Sequence, residues 1–460
     1  MDSILHRGIP LEVYGRYDVA VIGGGTAGAA AAIRAAQLGC STLVVEKATA
    51  LGGTAVNALV MPMMNSNVEH MEVLAQIDER LQAMGVQTHH RYNKGIWFGG
   101  EDMSYCLEQL LLENGGEILY DACLTDVCLE DGRIRYAVVF AEGRAMAIVA
   151  DHFVDASGDA VLARLSGVPC ASGDEEGNNQ CVTMRFEMGG IDVEKYRAYC
   201  TSIHDTFCPM QPGEFFESAM VGGKGFALEP LFQKGVEEGV LQPMDLRYYQ
   251  CFTVPGKPGC MSFNCPHIVG VTKNTSARAR SEAFQQGRQM IRRLVRFLQK
   301  YMPGFEQAFL LREASMLGIR ESYRIQGQYL LDEQDYMNRA RFADGVVKGD
   351  WYMDVHAAAG KAADWKEYTP GEYYEIPYRS LVTNQAENLI VAGRCISTSF
   401  LMQASIRIQP TLTDMGQIAG EACALAKQTG TPLAKLDGAR LRRRPGLPHA
   451  GGPVPGRGAV

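Results

Sequence analysis

Gly23, Gly25 and Gly28 stand in the spacing G-x-G-x-x-G, directly after the apolar run at 17–22. Each glycine has a separate physical task. The first permits a tight turn, the second lets the backbone approach a pyrophosphate, and the third lets a following helix pack close to the strand. Thr26 and Ala27 open that helix, whose free N–H groups face an anion. Glu46 ends the next apolar run, 18 residues after Gly28, with Lys47 beside it. A carboxylate there accepts hydrogen bonds from ribose hydroxyls. A chance glycine turn does not bring strand, helix, second strand and acid in this order, so the segment reads as a dinucleotide site.

The elements that must position these residues follow from the apolar pattern. Strands are expected at 17–22 and 41–45, joined by an alanine-rich helix at 26–38 that Gly39 ends. This β-α-β unit suits a right-handed crossover between parallel strands. A helix is expected at 103–113. An antiparallel meander follows over 117–150, with Asp131-Gly132 as a hairpin turn. Ile291, Leu294, Val295 and Leu298 form one apolar face of a helix at 279–301 that Pro303-Gly304 stops. A last buried strand lies at 388–392, and a helix at 410–427 begins with Pro410.

Several further segments extend the pattern: LGGT (51–54) with Gly52, Gly53 and Thr54, DASGD (155–159) after the meander, and NLIVAGRC (388–395). Together with LGIRESYRIQG (317–327), MDVHAAAG (353–360), YYEIPYRSL (373–381) and the region 392–426, they resemble the bacterial FAD-dependent oxidoreductase family, a branch of the glutathione-reductase-like flavoproteins. The resemblance covers about residues 17–430. It implies an α/β fold in which a Rossmann-type FAD-binding domain, a parallel sheet with an antiparallel meander, is assembled from 1–60, 100–165 and 385–430. A mixed α+β substrate domain, formed by 61–99 and 166–384, is inserted. The resemblance implies non-covalent FAD held by Gly23, Gly25, Gly28, Glu46, Gly53, Ala156, Gly158, Gly393 and Arg394. Many relatives carry Asp where this chain has Arg394.

On the substrate side, Arg320, Glu321 and Arg324 lie within five residues, and a helix would place the two arginines on one face. Two adjacent cations call for an anion between them: a substrate carboxylate, the reduced flavin, or a protein carboxylate. Arginine clamps carboxylates bidentately, and His356 or Tyr378, next to Arg379, can exchange a proton during hydride transfer. Arg407 precedes the helix at Pro410, so one cation and one helix N-terminus could face the flavin edge that becomes negative on reduction. The bland readings are an ion-pair network for the arginines, a turn cap for His356 and a core position for Tyr378.

Composition narrows the function further. The net charge of −8 argues against nucleic acid or an anionic membrane as partner. Thirteen cysteines without a C-x-x-C exclude a dithiol relay and give no metal-site spacing, and reduced thiols point to the cytoplasm. The apolar run at 19–33 holds four glycines and is too short for a bilayer. No second G-x-G-x-x-G exists for a nicotinamide cofactor, so a small organic substrate or a separate electron donor or acceptor must exchange electrons with the flavin. An enzyme is therefore expected, a dehydrogenase or reductase; the rival is a flavin electron-transfer subunit. An RNA-modifying flavoenzyme is disfavoured by the acidic balance. Residues 438–460, rich in Arg, Pro and Gly, are expected to be a disordered tail.

Overall fold

The structure, a computed structural model, describes residues 2–89, 96–206, 215–356 and 368–442. Five strand segments run parallel at its centre. Ile9–Ile22 lies between Thr42–Val45 and Arg144–Asp155, with Glu117–Leu119 beyond the first and Leu389–Val391 beyond the second. Val19, Ala20, Val21, Leu43 and Val44 are fully buried, as expected for strands covered on both faces. The register aligns the C-terminal ends: Ile22 opposes Val45 on one side and Asp155 on the other, and Asp155 opposes Val391. The loops that follow these four strands therefore emerge along one edge, the place where open α/β sheets bind ligands.

The meander expected after residue 117 is present as Cys123–Glu130, Arg133–Ala141 and the first half of Arg144–Asp155. Asp131 and Gly132 both have positive φ, as the tight two-residue hairpin turn requires. The first strand is longer than expected, because Ser3–His6 folds back on it as a hairpin.

Helix Thr26–Gln37 packs along helix Gln409–Thr429 at backbone distance. A Cβ on Gly416 would fall 2.0 Å from the Ala27 carbonyl oxygen, and one on Gly420 would fall 2.4 Å from that of Ala31. Alanines on one helix and glycines on the other permit this crossing.

A second core belongs to a five-stranded sheet in the order Glu217–Val221, Tyr248–Thr253, Met261–Phe263, Phe186–Gly189 and Phe309–Glu313, antiparallel throughout. Helix Ala277–Tyr301 contributes Met290, Ile291, Leu294, Phe297 and Leu298 to that core. Its apolar residues come from 182–319. Buried residues of 61–81, 97–98, 325–353 and 374–382, including Val73, Trp97, Tyr336 and Ile376, join the core of the nucleotide-type sheet instead. These segments thus share their buried contacts with the first core. Long-range burial decides this, and no local pattern reports it.

Residues 438–442, expected in the tail, belong to the described structure. Asp437 caps a short turn at Gly438–Arg440, Leu441 is buried, and Arg442 pairs with the buried Glu375 at 2.8 Å. The remainder of the tail, 443–460, lies outside the described residues.

Candidate functional site

A cleft of about 370 Å³ opens along the C-terminal edge of the parallel strands. Its lining joins the loops after those strands to residues beside the second sheet: Arg185 and Asn264, which flank its strands Phe186–Gly189 and Met261–Phe263, and Thr183 of a separate two-stranded ladder. Gly23 has a φ of +97°, and a Cβ there would lie 2.6 Å from the Ala156 carbonyl oxygen. At Gly28 it would lie 1.8 Å from the Gly23 oxygen. Both positions need glycine for the protein's own packing. Gly25 differs: it lines the cleft, and the nearest atom to an added Cβ is Gly53 Cα at 3.8 Å. The chain leaves this space open, as a turn that must admit a ligand does. Gly53 lies against Gly25, and Gly52 braces the turn through its N–H to the Gly24 oxygen at 2.8 Å.

Glu46 is buried, accepting hydrogen bonds from Gly24 N–H at 2.6 Å and Ala48 N–H at 2.8 Å. It holds the glycine turn to the next strand while lining the cleft. Thr26, Ala27, Lys47, Thr54, Ala156, Gly158, Gly393 and Arg394 line the cleft as well; Gly28 and Gly52 stand behind it and shape the turn.

Arg394 donates to Asp159 at 2.8 Å, and Arg280 donates to the other oxygen of the same carboxylate at 2.8 Å. Ser322 adds a bond at 2.6 Å. Burial opposes the Asp159 charge, but Arg394 and Arg280 outweigh it and hold the carboxyl well below the usual range. Arg394 Nε is buried with no partner among the described residues, and the same holds for Arg407 Nε.

Beside Arg407 lies a second cationic group. Arg320 lines the cleft and donates to the Cys181 oxygen and Thr183 Oγ1, each at 2.8 Å, and its Nη2 lies 3.3 Å from His267 Nε2. Arg185 donates to the Leu59 oxygen at 3.0 Å. Neither has a carboxylate hydrogen-bond partner among the described residues. Burial and the Arg320 charge push Arg185 down to about 9, while burial and Arg407 push Arg320 down to about 10. Arg407 pairs with Asp354 at 2.9 Å, and Asp354 also meets His356 at 3.1 Å. Burial and Arg320 push His356 down to about 4, against the pull of Asp354, so it is neutral at pH 7. Its ring meets His267 edge-on behind the arginines and does not line the cleft.

Besides His356, three expected site residues lie elsewhere. Residues 323–325 form a strand, not a helix, so Arg320 and Arg324 do not share a face. Arg324 is buried against Glu321 and donates to the Gly173 oxygen at 3.0 Å and the Thr398 oxygen at 3.2 Å. The anion it required is the protein's own. Tyr378 is buried with its hydroxyl on the Leu433 oxygen at 2.8 Å, a core position, and Arg379 pairs with Asp344 at 2.9 Å. Asp159 was present in the DASGD segment but carried no signal for its arginines. Arg185 and Asn264 were missed because a ladder between distant segments, not local spacing, brings them together.

The cleft carries a marked charge excess. Its lining includes six cations, Lys47, Arg185, Arg280, Arg320, Arg394 and Arg407, against two carboxylates, Glu46 and Asp159. In a chain of net charge −8 this segregation marks a site for anions.

Comparison with known proteins accords with this geometry. The model of the family described as FAD dependent oxidoreductase matches residues 18–444. The mitochondrial dihydrolipoyl dehydrogenase of Schizosaccharomyces pombe is 50% identical over 60 residues, which are 12% of this chain and 12% of that protein. The dihydrolipoyl dehydrogenase of Bacillus subtilis is 59% identical over 46 residues, 10% of each. The chain thus spans 12% or less of the length of these relatives. Among solved structures, a geranylgeranyl bacteriochlorophyll reductase-like protein from Thermoplasma acidophilum aligns with a TM-score of 0.47 and 13% identity, covering 90% of this chain and 80% of that one. The p-nitrophenol 4-monooxygenase of Pseudomonas putida aligns with a TM-score of 0.48 and 10% identity, covering 92% and 82%.

Proposed function

This chain belongs to the FAD dependent oxidoreductase family, and from that premise we propose that it is an enzyme exchanging a hydride equivalent between FAD and a small organic substrate. The observation that carries this reading is the cleft at the strand ends, cation-rich and left open at Gly25. When bound, FAD supplies a two-electron centre at its N5 atom.

The residues present fit that cofactor. The open face of Gly25 and the first amides of helix Thr26–Gln37 would hold the pyrophosphate, with Arg394 adding a charge. Glu46 retains acceptor capacity beside the turn, and Lys47 adjoins it. Arg407 and the N-terminus of helix Gln409–Thr429 would face the flavin edge that gains negative charge. Asp354 holds Arg407 in place, and its Nε is left for a further acceptor. The substrate would meet the second-sheet side of the cleft, at Thr183, Arg185, Asn264 and Arg320. A cytoplasmic setting is part of the proposal. It is supported by the described cysteines, all of which are free thiols, and no described helix is long and apolar enough to cross a membrane.

The test is direct. The purified protein is expected to be yellow and to release intact FAD on acid treatment. Under anaerobic conditions a panel of small organic compounds is expected to contain members that bleach or reoxidise the flavin. A colourless protein that does not take up added FAD overturns the reading. Reduction by a partner protein and by no small molecule would replace it with an electron-transfer subunit.

A further inference from the structure

The second-sheet side of the cleft carries more charge than a dinucleotide accounts for. A pyrophosphate brings two negative charges, and the lining holds four more cations than carboxylates. Of the arginines, Arg185 and Arg320 are the two without a carboxylate hydrogen-bond partner among the described residues. Arg280 and Arg394 share Asp159, and Arg407 has Asp354, whereas Arg185 and Arg320 donate to backbone carbonyls and a threonine hydroxyl. Burial and the Arg320 charge together lower the affinity of Arg185 for its proton. Like charges lining one cleft raise the energy of the empty site, and an anion between them relieves it.

A second, independent feature lies next to this pair. Phe186 pairs with Phe263 in the antiparallel ladder, so Arg185 and Asn264, one residue further on each strand, are neighbours. Both line the cleft. The orientation of the Asn264 amide follows from its network. Glu217 accepts from Gln250 Nε2 at 2.6 Å, which turns Gln250 Oε1 the other way. That oxygen accepts from Asn264 Nδ2 at 2.7 Å and from the Tyr248 hydroxyl at 2.7 Å. Asn264 Oδ1 is thereby left as a buried acceptor with no partner among the described residues. A buried acceptor without a donor is costly, so a donor from the ligand has something to gain there.

Resting on the reading of the cleft as a flavin-and-substrate site, we propose that the substrate is an organic hydroxy-carboxylate, its carboxylate between Arg185 and Arg320 and its hydroxyl on Asn264 Oδ1. The two arginines select the charge. The asparagine selects a hydrogen-bond donor beside it. An ammonium would be a donor too, but it adds a positive charge to a region already in excess, so the neutral hydroxyl fits and the amine does not.

The experiment titrates the FAD-loaded protein at constant ionic strength and follows the flavin absorption and fluorescence together with the heat of binding. The probes are glycolate, lactate, malate and mandelate, each with its amide, and the matching acids without the hydroxyl. At least one hydroxy acid is expected to bind at least ~10-fold more tightly than its amide, because charge-assisted hydrogen bonds are lost with the charge. Arg185→Met and Arg320→Met are each expected to weaken that acid by roughly 10- to 100-fold at unchanged FAD content. Asn264→Leu is expected to leave the hydroxyl-free acid unaffected while abolishing the preference for the hydroxy acid. The proposal falls if no acid binds more tightly than its amide, or if both arginine variants bind like the wild type. It also falls if the hydroxyl brings no preference that Asn264→Leu removes. Loss of FAD from the wild-type protein would instead sink the flavoenzyme reading. The calorimetric comparison of acid with amide would still report on the arginines in that case.

Discussion

At the scale of single residues, two glycines of one motif separate binding from folding. Gly25 has φ near −68° and an open Cβ direction, so alanine is compatible with its backbone. Gly25→Ala is expected to leave the melting temperature of the flavin-free protein nearly unchanged while FAD affinity falls by ~10-fold or more, since the methyl group displaces the pyrophosphate. Gly28→Ala places a Cβ 1.8 Å from the Gly23 oxygen and is expected to lose the fold itself. Melting curves with and without FAD separate the two. The arginines divide in the same way. Arg324→Met leaves Glu321 buried without its partner, a change that costs about 3–5 kcal/mol, and its urea midpoint is expected to fall sharply. Arg320→Met removes a charge that Arg185 and Arg407 oppose, so its midpoint is expected to stay near that of the wild type. Equal midpoints for the two variants would contradict this assignment.

At the scale of elements, the site depends on two helices held at backbone contact. Gly416→Leu forces helix Gln409–Thr429 away from Ala27 and carries its N-terminus off the cleft. Overpacking of this kind costs about 1–3 kcal/mol, and both stability and FAD content are expected to drop, as a melting curve and a flavin titration would show. The junction of strands and loops around Arg320 has a pH signature. His356, facing Asp354, Arg320, Arg407 and His267, is held at about 4 against an ordinary 6.5. A depressed histidine leaves the unfolded chain binding more protons between these values. Its contribution to stability is therefore present above pH 6.5 and is lost as the pH falls towards 4. His356→Gln is expected to flatten that limb of the stability curve measured by urea unfolding. His267, also held well below its ordinary value, keeps the remainder. A limb of unchanged steepness in the variant would refute this account.

At the scale of the whole molecule, the last described residues close the structure. Leu441 is buried and Arg442 pairs with Glu375, which also accepts from Phe342 N–H at 2.9 Å. Ending the chain after Arg442 is expected to leave the melting temperature unchanged, because the Pro-, Gly- and Arg-rich remainder has few apolar residues in its sequence. Ending it after Leu436 is expected to lower the melting temperature by several degrees, since Leu441 and the partner of a buried carboxylate are lost. Two truncations and one melting experiment decide this. The charge distribution also belongs to this scale. An acidic exterior surrounds a cleft with four cations in excess, which draws anions inward while keeping the rest of the surface unattractive to them.

The amino-acid sequence by itself determined the local units. The apolar run before Gly23, the alanine-rich helix, the meander with its Asp131-Gly132 turn and the strand before Gly393 all appear near their expected bounds. Each is set by periodicity and turn chemistry within a few residues. The cofactor turn was legible for the same reason. Only the tertiary structure decided which charges face one another. Arg320 and Arg324 are equivalent in sequence, but a strand in place of a helix sends one to the cleft and the other to Glu321. Arg185, Asn264 and Arg280 reach the cleft through strand pairing and helix packing across 79 to 121 positions. The grouping of 61–81 and 97–98 with the nucleotide-type core likewise follows from which apolar faces meet. Backbone preferences act within a turn or two of chain, whereas burial and charge pairing act through space, so the elements could be read in order and the site could not.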